Sequence, residues 1–228
     1  MPVTVVPADA LRPAPAPVPG PAPTEARPRW PRLLAVAVVG QPLLLTINSL
    51  FHPEVEIEAA SILQGAAEAP TRWYVVHLVA ALGALLGAPA ALGLRRLVRG
   101  RGRVLADTAV VTAFVTAALL GMAFAVEASL LRLVTTADIS SGAASTLADA
   151  YTSTAEFYAT GVGVLAATAT TILFAVAFLR ERAVPRRVGW ALIAGTALTF
   201  VGPPGTVIGP AGFALVTAAS VAVARRLA

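Results

Sequence analysis

The sequence predicts an all-α membrane protein: a bundle of six transmembrane helices with both termini on the cytoplasmic side. Composition is the first reason. Of 228 residues, 57% are hydrophobic and 13% charged, against about 25% charged in an ordinary soluble domain. A soluble fold of this length has too little interior for so much apolar surface, and the mean hydropathy of +0.78 says the same. The second reason is run length. A spanning helix needs roughly 20 apolar residues, and the stretch from Arg32 to Arg226 holds six apolar runs with connections between them. The third is where arginine falls, since lysine is absent.

Residues 1–31 form a Pro/Ala-rich tail, as in Pro13-Ala14-Pro15-Ala16-Pro17. Proline locks φ and removes backbone donors, so a disordered, extended tail with polyproline II character is expected rather than a helix or a signal peptide. The transmembrane domain is 32–228. Its helices are expected at about 33–51, 73–97, 104–131, 157–179, 188–202 and 207–224. Pro42 and Pro89 lie inside the first two and are expected to bend them. The fifth is short for a full span, and Gly202-Pro203-Pro204-Gly205 then reverses the chain. Two longer connections follow the first and third helices. In the first, Pro53, Glu54 and Glu56 suit a helix start. Val55, Ala59, Ile62 and Leu63 would give that helix one apolar stripe, lying on the membrane surface or capping the bundle. In the second, Ser140-Ser141-Gly142 breaks the chain, and Leu147, Tyr151 and Thr154 suggest a helical lead-in to the fourth span.

Arginine sets the orientation. The tail, the connections after helices two and four, and the C-terminus together hold 15 of them, and the opposite side holds Arg72 and Arg132. That is the positive-inside pattern, and it alternates correctly only for an even number of spans. A pI near 10.9 therefore reports topology, not a nucleic-acid partner. The expected partner is the lipid bilayer, and the expected location the cell membrane. The absence of cysteine excludes structural disulfides, thiolate catalysis and Fe–S clusters.

Helix association in lipid relies on close packing. Small residues recur every fourth position at Gly83, Gly87 and Ala91, at Ala109, Ala113, Ala117, Gly121 and Ala125, and at Ala159, Gly163, Ala167, Thr171 and Ala175. These faces serve either the fold or a homo-oligomer. Asp107, at the cytoplasmic start of the third helix, suits the helix dipole and an arginine partner such as Arg103.

The candidate site lies at the other end. His52 and His77 are the only histidines; with Glu127 and Glu156 they put one ionisable group at a similar depth on each of four consecutive helices. Asn48 shares a face of helix one with Gln41 and points toward the same place. Ionisable groups facing a bundle interior are costly unless paired and are functional candidates by default. The plainer reading is that they reach water, cap helices or pair with Arg72 or Arg132. The sharper readings are a shared polar or proton-linked site for a small ligand or ion, then a metal or haem held by His52 and His77. No cofactor is predicted outright, and no His-Glu-x-x-His or phosphate loop points to an enzyme. No inverted repeat relates the two halves, as a transporter would suggest.

One local pattern is more specific: His52-Pro53 after the first helix, an acidic stretch from Glu54 to Glu68, then Trp73 before His77-Leu78. Over about residues 33–97 it resembles a set of uncharacterised multispanning membrane proteins of actinomycetes. Those often carry an acidic residue near the outer end of a middle helix, which Glu127 or Glu156 would match. The resemblance implies that the two histidines are a shared feature; it brings no activity with it. The sequence thus leads to an integral membrane protein, more readily a binding protein than an enzyme or a small transporter.

Overall fold

The computed structural model describes residues 30–53, 59–136, 140–201 and 207–227. The Pro-rich tail, the acidic start of the first connection and the Gly202–Gly205 turn lie outside the described residues. Eight helices are present: α1 Trp30–Phe51, α2 Ala59–Glu68, α3 Pro70–Arg95, α4 Arg103–Thr136, α5 Ser141–Thr152, α6 Ala155–Glu181, α7 Arg186–Val201 and α8 Ile208–Ala224. No strand occurs among the described residues.

Six of the helices pack as a closed ring, each on its neighbours in the order α1, α3, α4, α6, α7, α8 and back to α1. Four of them, α1, α3, α4 and α6, are long and apolar enough to cross a membrane. At 16 and 17 residues, α7 and α8 reach about 24 to 26 Å at 1.5 Å per residue, short of a hydrocarbon core about 30 Å thick. Large apolar side chains cover the outside of the ring, among them Leu33, Val36, Leu82, Leu85, Phe114, Leu165 and Phe200. That is the surface of a membrane protein, whose apolar solvent is lipid.

The ring closes through small residues. Ala109, Ala113 and Ala117 are buried on α4, so this stripe serves packing within the chain. A Cβ on Gly163 would lie 2.7 Å from the side chain of Leu120, and one on Gly212 would lie 2.6 Å from the carbonyl oxygen of Gly195. The backbones of α7 and α8 can approach that closely only because both positions are glycine. Threonine adds hydrogen bonds across the ring, Thr46 to Thr217 at 3.0 Å and Thr112 to Thr170 at 2.8 Å. Most threonine hydroxyls bond back to their own helix, as Thr170 and Thr171 do. Both α1 and α3 run on through Pro42 and Pro89.

Each of the two connections contributes a helix among the described residues, α2 and α5, and the two touch. Short α2 packs on α3 and α4, and also on α5. Its buried Ile62 clusters with Trp73 of α3 and Leu131 of α4. It therefore caps the bundle rather than lying on a lipid surface. The expected lead-in before the fourth long helix is a helix of its own. Ser140 caps α5, accepting from the amide of Ala143, and Ser153 and Thr154 interrupt the chain before α6.

Candidate functional site

Three of the candidate side chains converge beneath the α2 cap. His77 sits one turn after Trp73 on α3, so both project to the same side of that helix. Both are almost fully buried, at 2% and 1% exposure. Their rings stack with centroids 4.7 Å apart. The ring of His52, just past the end of α1, lies 5.0 Å from His77 and 5.3 Å from Trp73. From α4, one Glu127 carboxylate oxygen comes within 3.4 Å of His77 Nε2, and Phe124 closes the far edge of the His77 ring.

Hydrogen bonding assigns the tautomers. His77 Nδ1 is 2.8 Å from the carbonyl oxygen of Trp73, and a carbonyl only accepts, so Nδ1 carries the hydrogen. In neutral His77, Nε2 is then a lone pair facing a carboxylate oxygen. Two acceptors at that separation repel unless a proton sits between them, on the imidazole or on the carboxyl. His52 Nδ1 is committed in the same way, 2.7 Å from the carbonyl oxygen of Pro53. Burial, and then the neighbouring imidazole of His77, hold His52 below its ordinary value of 6.5.

Asn48 flanks the site rather than entering the triad: its amide donates to the carbonyl oxygen of Val76 at 3.0 Å, tying α1 to α3 one residue before His77. The side chain of Glu156 lies outside the described residues. Arg72 and Arg132 neutralise neither His77 nor Glu127. Arg72 donates to the carbonyls of Phe51 and His52, closing the end of α1, and Arg132 stands over the ring of Tyr74. The buried indole N–H of Trp73 has no hydrogen-bond partner among the described residues. Among those residues, no group of three or more His, Asp or Glu is arranged to hold a metal ion.

Two further polar features went unnoticed in the sequence. A central cavity inside the ring, with about 50 Å³ open to water centres, is lined by residues of all six ring helices, Gln41, Thr116, Thr170 and Ser220 among them. At roughly 10 to 15 Å³ per water, it has room for a few solvent molecules. It lies away from the histidines: Gly87 on its wall is about 15 Å along α3 from His77. Between them, Gly83 is packed against Leu44 and Leu45. The other feature is at the arginine-rich end. Glu181, the last residue of α6, accepts from the backbone amides of Arg99, Gly100 and Gly102. Nothing in its spacing distinguished it from a solvated helix end. Asp107 pairs there with Arg95 and, at 3.7 Å, with Arg103.

The family model for DUF4386, a domain of unknown function, matches residues 32–226. The chain belongs to the DUF4386 family. The match runs through every ring helix and so covers both the histidine cluster and the arginine-rich end. No curated protein and no solved structure matches the chain.

Proposed function

We propose that this DUF4386 protein is a multi-pass protein of the cell membrane that takes up a proton or a small cation at the His52–His77–Glu127 cluster and acts by binding rather than by catalysis. All six ring helices serve as spans in this reading. The short α7 and α8 are matched to the bilayer by local thinning. The 15-to-2 division of arginine supports cytoplasmic termini and a cluster near the outer leaflet.

One observation carries the reading. His77 Nε2 faces Glu127 at 3.4 Å in a nearly water-free site, and the other ring nitrogen is occupied by the Trp73 carbonyl. A shared proton, or a cation in its place, would bridge these two facing groups. A purely structural ion pair would not need a second imidazole 5.0 Å away.

Trp73 offers a direct readout, because an imidazolium stacked on an indole quenches its fluorescence. Trp30 and Trp190 are 67% and 60% exposed, so a Trp30→Phe/Trp190→Phe background isolates Trp73 without disturbing the core. Acid titration in detergent should quench Trp73 with helicity unchanged. His77→Gln should abolish the quenching, and Glu127→Gln should change it. Identical titrations in all three proteins would overturn the reading.

A metal is the second reading. Each imidazole holds a backbone carbonyl with Nδ1, which leaves Nε2 as the nitrogen that would face a metal, the His77 one beside the Glu127 carboxylate. Stoichiometric zinc retained by the protein, and lost in both His52→Ala and His77→Ala, would favour it. A haem between the two histidines fits less well. Metal–nitrogen bonds of about 2 Å on either side of an iron would hold the ring centroids roughly 6 Å apart, whereas these stand at 5.0 Å. Transport is the least supported reading, because packed leucines separate the cluster from the central cavity.

A further inference from the structure

A groove of about 530 Å³ runs along the outside of the ring between α1 and α8. On α1 its wall is Arg32, Val36, Val39 and Leu43; on α8 it is Val221 and Arg225, with small residues as the floor. The α1 positions fall at i, i+4, i+7 and i+11, one continuous face of the helix. Both arginines lie at the same end of the groove, because α1 begins there and α8 finishes there. Everything beyond them is apolar.

Charge distinguishes this groove from the rest of the lipid-facing surface. The side chains of Arg32 and Arg225 have no ion-pair or hydrogen-bond partner among the described residues. Asp107 and Glu181, at the same end of the bundle, are occupied by other groups. Another groove on the outside, lined by Met122, Ala125, Val126, Ser129, Leu130 and Leu133, has no charged residue. Length distinguishes it too. From Arg32 to Leu43 is about 16 Å along a helix, close to half of a hydrocarbon core about 30 Å thick. An acyl chain of one leaflet would fill that depth, with its phosphate at the level of the arginines. The volume is also in the ordinary range for a bound small molecule, roughly 300 to 1,000 Å³.

We infer that this groove is a binding site for an anionic phospholipid. Its headgroup phosphate is held by Arg32 and Arg225, and one acyl chain lies against Val36, Val39 and Leu43. Guanidinium groups match phosphate geometry in a bidentate fashion. The site is at the opposite end of the molecule from the histidine cluster and does not depend on the function proposed for it.

The test uses the full chain in mild detergent with equimolar phosphatidylglycerol and phosphatidylcholine, read by native mass spectrometry. The wild type should retain one phosphatidylglycerol in preference to phosphatidylcholine. Arg32→Gln/Arg225→Gln should weaken that preference by about 30-fold, the effect of two basic residues at an anionic surface. Arg186→Gln/Arg187→Gln removes as much charge from the same end but outside the groove, and should leave it unchanged. Val36→Trp, at a position 67% exposed, should fill the groove and expel the lipid with both arginines intact. Equal retention of the two lipids would overturn the inference. So would equal losses in the two double variants, retention in Val36→Trp, or a dimer seated on this face.

Discussion

The two ends of the bundle treat charge in opposite ways. At the arginine-rich end, Asp107 and Arg103 are exposed, Arg95 and Glu181 are half-buried, and each finds its partner at that same end. Asp107 pairs with Arg95 and Arg103, and Glu181 ties down the amides of the turn between α3 and α4. At the histidine end the charges are fewer and are buried against one another under a helical cap. Exposed pairs contribute little to stability because water competes for both partners. A buried pair carries a desolvation cost that the fold alone does not require. The first arrangement organises helix ends. The second is where a proton or cation has a physical reason to bind.

Removing one partner at each end is the sharpest way to test that contrast. Glu127→Ala leaves His77 facing an apolar pocket and should cost about 3 kcal/mol, the range for breaking a buried pair, measured by reversible unfolding in mixed micelles. If it costs no more than a surface substitution, the buried end is not special. The next effect is on pH. His52 is held below its ordinary value of 6.5 by burial and by His77. The folded state therefore binds a proton at this group less readily than the unfolded chain. That stability is fully present above 6.5 and is lost as pH falls toward and through the folded value. Glu127 opposes this trend, whereas Arg72 adds to it. Thermal melts at falling pH should show the loss, and His52→Gln should flatten it.

Smaller effects are expected at the other end. Glu181→Ala frees three amides and should speed hydrogen exchange at Arg99, Gly100 and Gly102 while leaving exchange in the ring helices unchanged. Protection throughout that turn in the variant would show that the carboxylate does not hold it. Asp107→Asn, with the carboxylate 53% exposed, should leave the melting temperature within experimental error. A large shift there would erase the distinction between the two ends.

The candidate site was legible only in part. His52, His77 and Glu127 stood out because ionisable groups are rare in such apolar helices and their depth follows from counting along each one. Glu181 did not stand out, because acceptance by three backbone amides leaves no mark on residue spacing. The capping helix was visible as an apolar stripe including Ile62. Its partner, Trp73, was visible only as the start of the second helix and as part of the pattern before His77-Leu78.

By itself the sequence determined that the chain is helical and belongs in lipid. Apolar run length and arginine placement are local properties, and the cost of an unpaired backbone in hydrocarbon leaves few alternatives. Depth along each helix followed as well, since the rise per residue is constant. The rotation of each helix about its axis was decided only by the tertiary structure. Glycine and alanine contacts such as Gly163 on Leu120 and Gly195 on Gly212 set those rotations through close packing across the ring. They turn two imidazoles and a carboxylate toward a common point at one end, and leave Arg32 and Arg225 lining one groove at the other.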